Sequence, residues 1–150
     1  MSGSKTPELK DNSVQVSVTA NREGASEILG HTLRFAKLAG ISGRDRYRLG
    51  IVAEELVRNV IEHGAPLAGS RIDLTLVPVD TGVEICITDK GRAFDPRTTL
   101  DRSEGALNVQ AKKGDGVGWP LINLWCRIEQ YDREDDTNRL LLLMSFDADG

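Results

Sequence analysis

The chain has 150 residues, 39% of them hydrophobic, which is the size and composition of one globular domain and excludes disordered and disulfide-stapled classes. Nineteen Lys and Arg against 23 Asp and Glu leave a net charge of -4, the wrong sign for a large nucleic-acid contact. No apolar run approaches the ~20 residues of a membrane span, and the start MSGSKTPELKDNS has no apolar leader, so residues 1–12 are expected to be a disordered tail of a cytoplasmic protein.

Ser13–Ala20 alternates apolar and polar residues, with Val14, Val16 and Val18 on one face, and this predicts a half-buried strand. Asn21 is a plausible N-cap for a helix whose apolar positions are Ala25, Ile28, Leu29, Thr32, Leu33 and Ala36, with Gly40 as its stop. A second helix is expected from about Arg44 to His63, where Gly64 and Pro66 end it. Alternating strands follow at Arg71–Val77 and Val83–Asp89, joined by a turn at Asp80-Thr81-Gly82.

From Lys90 to Asp115 the periodicity disappears, as expected of a lid or binding loop. A helix starting near Gly116 carries Leu121, Ile122, Leu124, Trp125 and Ile128, and its Pro120 is tolerable in the first turn. Strands at about Ile128–Arg133 and Arg139–Phe146, with a turn at Glu134–Asn138, close the chain. Strands and helices do not strictly alternate, which predicts an α+β fold with a mixed sheet and about three helices on one face. Residues 13–150 then make one domain, with the lid at about 95–115. Cys86 and Cys126 each sit in an apolar run and read as buried reduced thiols, and with His31 and His63 they lack zinc-ligand spacing.

Three stretches carry residues suited to chemistry. In EELVRNVIEHG, Glu55, Asn59 and His63 are four apart and share one helix stripe. An Asn carbonyl is a neutral oxygen ligand suited to Mg²⁺, and a Glu one turn earlier can act as a general base. A solvated helix face is the other reading, and Arg58 and Glu62 fit it. In ITDKGRAFDP an apolar strand runs into Asp89, whose carboxylate can accept from an exocyclic amine such as that of adenine. Gly91 would let a flat ring approach the backbone, although Asp-Lys-Gly is also an ordinary turn. In GDGVGWPLI, glycines before a helix expose backbone N–H groups to a phosphate with the helix dipole behind them.

In this order and on these elements, the three motifs resemble the histidine-kinase-like ATPases, the GHKL superfamily with its Bergerat nucleotide-binding fold, over roughly Ser13 to Phe146. Within it the chain looks like the stand-alone anti-sigma-factor serine/threonine kinases of bacterial partner-switching systems. These share the short N-terminal strand and helix and the E-x-x-x-N-x-x-x-H pattern of Glu55, Asn59 and His63. A histidine kinase would need a phosphoacceptor His on a helix bundle before the ATPase domain, and His31 is the sole histidine ahead of the second helix.

The resemblance implies a two-layer α/β sandwich that binds ATP and Mg²⁺. It makes Asn59 the metal ligand, Glu55 the general base and Asp89 the reader of the adenine amine, with Gly91 against the ring. Gly116 and Gly118 would donate to the phosphates. His63 matches a position of the ATP site, and Thr137 would touch the adenine pocket. Lys112 and Lys113 are the cations nearest to where these kinases often place an Arg, while Asp115 and Trp119-Pro120 depart from the pattern. The implied partners are a sigma factor, which the protein would sequester, and an anti-sigma-factor antagonist, which it would phosphorylate. No direct nucleic-acid or membrane partner is implied, and a homodimer is. The departures keep a second reading open, a regulatory module that sequesters a protein partner with nucleotide binding degenerate or absent.

Overall fold

A computed structural model describes residues 13–96 and 118–146. The expected tail at 1–12, most of the expected lid, Lys112, Lys113, Asp115 and Gly116 lie outside the described residues. The elements run β1 (Val14–Thr19), α1 (Arg22–Leu38), α2 (Gly43–His63), β2 (Arg71–Val79), β3 (Gly82–Asp89), α3 (Gly118–Trp125), β4 (Cys126–Glu134) and β5 (Thr137–Ser145).

Local chemistry explains the boundaries. The Asn21 side chain accepts the Gly24 amide at 2.9 Å and so caps α1 as expected. Gly40, at φ 77°, turns the chain in a conformation that other residues rarely adopt. Asp135 and Asp136 have φ of 51° and 69°, so a two-residue turn joins β4 to β5. That turn is tighter than the expected Glu134–Asn138, and it puts Thr137 and Asn138 inside β5. Ile128 belongs to β4 and pairs with Leu142, so the last helix stops before it.

The strands form one sheet in the order β1-β2-β3-β5-β4. Every neighbouring pair is antiparallel, so the sheet is not mixed as expected. The connections explain this. Two-residue hairpins join β2 to β3 and β4 to β5. The α1–α2 pair returns the chain to the end of β1 that it left, so β2 comes back antiparallel. The α3 crossover joins two strands that run the same way, β3 and β4, but β5 lies between them.

The layers are those of the expected α+β sandwich. Alternate strand residues Val18, Ile72, Leu74, Leu76, Ile85, Ile87, Leu140 and Leu142 are buried. They form one core with Ile28 and Phe35 of α1, Leu49, Val52, Leu56 and Val57 of α2, and Ile122 of α3. The intervening residues, such as Thr75, Cys86 and Leu141, are half-exposed on the other face. Both cysteines are free and half-buried rather than fully buried, and burial pushes the Cys126 thiol up to about 12. Among the described residues no helix is long and apolar enough to cross a membrane.

Candidate functional site

The C-terminal half of α2, the end of β3 and the β4–β5 hairpin meet around one small cavity. Leu56 and Val60 of α2, Ile87 of β3 and Leu140 of β5 supply its apolar walls. Asn59, Asp89, Tyr131 and Asn138 supply polar groups, and Phe94 and Pro96 complete the lining. The cavity volume is about 30 Å³, enough for a water.

Asp89 is the last residue of β3 and is 7% exposed. Burial raises its pKa above the usual 3.8, against the lowering effect of the Gly91 amide, the Asn138 amide and the Arg133 charge. Its Oδ2 accepts from the Gly91 N–H at 2.8 Å and from Asn138 Nδ2 at 3.2 Å. Among the described residues both of its partners therefore fall on one oxygen, and Oδ1 keeps its accepting capacity.

Asn59 faces Asp89 from α2 and is 8% exposed. Its Nδ2 is buried and has no hydrogen-bond partner among the described residues. A buried amide without a partner costs roughly 1–3 kcal/mol, so a fold that keeps one there has a use for it or pays a penalty. Glu55 stands one turn earlier, half-buried and outside the cavity lining. Burial raises its pKa above 4.5; Arg58 opposes this and Glu54 and Glu62 add to it. Such a carboxyl takes up a proton more readily than an exposed one.

His63 ends α2 and stacks on Phe94, with ring centroids 5.4 Å apart and planes at 18°. Its carbonyl accepts from Arg92 Nε at 2.7 Å, and the Gly64 carbonyl accepts the Arg92 amide at 2.6 Å. His63 thus supports the strap that follows β3, residues 90–96, rather than lining the cavity. Gly91 has a reason the sequence did not suggest. A Cβ there would run into the Gly64 carbonyl oxygen, so the fold itself requires the glycine, with no ring needed to explain it.

Thr137 is not brought to the cavity. It lies beside Thr88, Arg139 and Leu141, on the opposite face of the sheet. One residue along a strand reverses the face, and Asn138 is the one that points inward, at register with Asp89. Gly118 opens α3. Asn138, Tyr131 and Arg133 are the functional candidates that the sequence reading missed. The signal was the inward alternation of Leu140, Leu142 and Met144, which extends back to Asn138 once the turn is placed at Asp135-Asp136.

Among the described residues no group of three or more His, Cys, Asp or Glu side chains gathers as a metal cage. A sequence model of the histidine kinase-like ATPase domain matches residues 18–144, from β1 to β5 and across every element described. No curated protein matches the chain.

Proposed function

The chain belongs to the histidine kinase-like ATPase family, and from that premise we propose that it is an ATP-binding anti-sigma factor and serine/threonine protein kinase. In this reading it sequesters a sigma factor and phosphorylates an anti-sigma-factor antagonist, acting in the cytoplasm as a homodimer. The observation that carries the reading is the unpartnered Asn59 amide facing the Asp89 carboxylate across one cavity. The E-x-x-x-N-x-x-x-H pattern on α2 and the α1–α2 pair between β1 and β2 support the stand-alone kinase branch of the family.

Asp89 Oδ1 accepts from the adenine amine, while Leu56, Val60, Ile87 and Leu140 enclose the ring. Asn59 offers the neutral amide oxygen that suits Mg²⁺, and would hold the ion there, while its buried Nδ2 has no partner among the described residues. When bound, the ion neutralises phosphate charge. Glu55, with its raised pKa, takes the proton from the attacking seryl or threonyl hydroxyl.

The test is to incubate the purified protein with labelled ATP, Mg²⁺ and its copurifying proteins. Label appearing on serine or threonine of a copurifying protein supports the kinase reading. Partner capture with no transfer, and no ATP binding by calorimetry, defeats it and leaves a sequestering module.

A further inference from the structure

The carboxylate assigned to base reading is held by a side chain from the neighbouring strand. Asn138 sits opposite Asp89 in the β3–β5 ladder and is 4% exposed. Its Nδ2 donates to Asp89 Oδ2 at 3.2 Å and to the Arg92 carbonyl at 2.8 Å. Its Oδ1 accepts from the Tyr131 hydroxyl and from Arg133 Nη1, the latter at 3.1 Å. Two donors at one end and two acceptors at the other fix which way the amide points. A flipped amide would aim its NH₂ at a guanidinium and its oxygen at a carboxylate.

The two β4 residues that set this orientation also hold the strap. The Tyr131 hydroxyl accepts the Phe94 amide at 3.2 Å, and Arg133 Nη1 donates to the Gly91 carbonyl at 2.9 Å. Asp89 is thus gripped on Oδ2 by two donors, the Gly91 N–H and Asn138 Nδ2, which are themselves tied to β4.

We infer that Asn138, oriented by Tyr131 and Arg133, is the positioning residue that sets the base specificity of this site. It pins Asp89 Oδ2, so that Oδ1 is presented to the cavity as a fixed acceptor, and it thereby selects a base carrying an exocyclic amine over one carrying an oxygen. This rests on the adenine reading of Asp89 given above. A carboxylate held on Oδ2 by the Gly91 N–H alone would still accept from an amine, but it would lose part of the fixed geometry that penalises an opposing oxygen.

Two variants test it. Asn138→Leu keeps the approximate volume and removes both ends of the amide. Tyr131→Phe removes a single hydroxyl and carries the test if the first variant does not fold. For each, competition of a labelled ATP analogue by ATP and by GTP reads the base preference. A ¹³C NMR titration of the Asp89 carboxyl in the ligand-free protein reads the grip directly. In Asn138→Leu the ATP-over-GTP preference should fall by about tenfold, the equivalent of one lost hydrogen bond. In Tyr131→Phe it should fall by less. The Asp89 carboxyl should titrate at a higher pH in both, because a donor to its charged form is lost or misaligned. A purely structural Asn138 would weaken both nucleotides equally and leave their ratio unchanged. An unmutated protein that binds ATP and GTP equally sinks the adenine reading and this inference with it. An unmutated protein that prefers ATP, with both variants preferring it as strongly and Asp89 titrating where it did, overturns this inference alone.

Discussion

The carbonyl oxygen of Gly64 occupies the space that a Cβ on Gly91 would need. It also accepts the Arg92 amide, so the end of α2 and the turn after β3 are locked backbone to backbone. Neither side has a flexible side chain to give way. Gly91→Ala should therefore destabilise the fold by about 1–3 kcal/mol, the usual cost of forced overpacking. Urea denaturation measures this. Gly30 is the control, since a Cβ there meets nothing within 4 Å and its site is a helix interior. Gly30→Ala should add roughly 0.5–1 kcal/mol of stability. Equal midpoints for the two variants would remove the assigned role of Gly91.

Much of this architecture was legible because burial imposes a period. The Val14–Val16–Val18 alternation, the Asn21 cap and the apolar stripe of α2 each announced an element that the structure contains. The sheet's hand of pairing was not legible. It depends on which strand β5 settles beside, and that choice lies in contacts distant in sequence. The site divides in the same way. Asp89 stood out as a carboxylate ending an apolar run, and Asn59 as an amide at the border of a buried face. Asn138 was hidden by the turn, because an Asp-Asp pair at positive φ does not advertise a two-residue hairpin as Asn-Gly does. The expected turn, Glu134–Asn138, took in both Thr137 and Asn138, and the contact that the resemblance implied at Thr137 falls on the other face.

Asn59 offers the test of the metal assignment. Its Nδ2 has no hydrogen-bond partner among the described residues, so removing the side chain breaks no bond at that nitrogen. Asn59→Ala should leave the thermal midpoint within a few degrees and weaken Mg-dependent ATP affinity. One lost ligand or hydrogen bond to a charged group is worth about 1.5–3 kcal/mol, or roughly ten- to a hundredfold. Calorimetry with and without Mg²⁺ reads it. An unchanged Mg²⁺ increment would refute the assignment.

Glu55 separates binding from chemistry. Glu55→Gln keeps the shape and removes the base, so phosphoryl transfer should fall by about 10²–10⁴-fold with ATP affinity nearly unchanged. The pH dependence has a definite sign. Burial raises the folded pKa above 4.5, so transfer should rise with pH through that higher value as the base ionises. Stability runs the other way. The raised pKa contributes stability below the unfolded value, and this is lost as pH rises through the folded one. Glu55→Gln, neutral throughout, should lack that loss. Parallel falls in affinity and transfer would make Glu55 a structural residue.

Asp89→Asn makes the sharpest prediction, because the hydrogen bonds dictate how the new side chain sits. The Gly91 N–H and Asn138 Nδ2 both donate to the Oδ2 position. Asparagine satisfies them only by placing its carbonyl oxygen there, which leaves its NH₂ in the Oδ1 position. The site then presents a donor where the unmutated protein presents an acceptor. ATP affinity should fall by roughly ten- to a hundredfold, and GTP, with an oxygen in place of the amine, should bind better than it does to the unmutated protein. Asp89→Ala should remove the preference without reversing it. Stability supplies a second reading. The Asp89 pKa is raised by burial, so its contribution to stability is present below 3.8 and is lost as pH rises through the folded value. Asp89→Asn should therefore be the more stable protein at neutral pH, with the difference shrinking as the pH falls through the folded value. Competition binding with ATP and GTP, and urea unfolding from pH 7 down to pH 3, measure the two effects. A variant that keeps the ATP preference would show that the base is read by some other group.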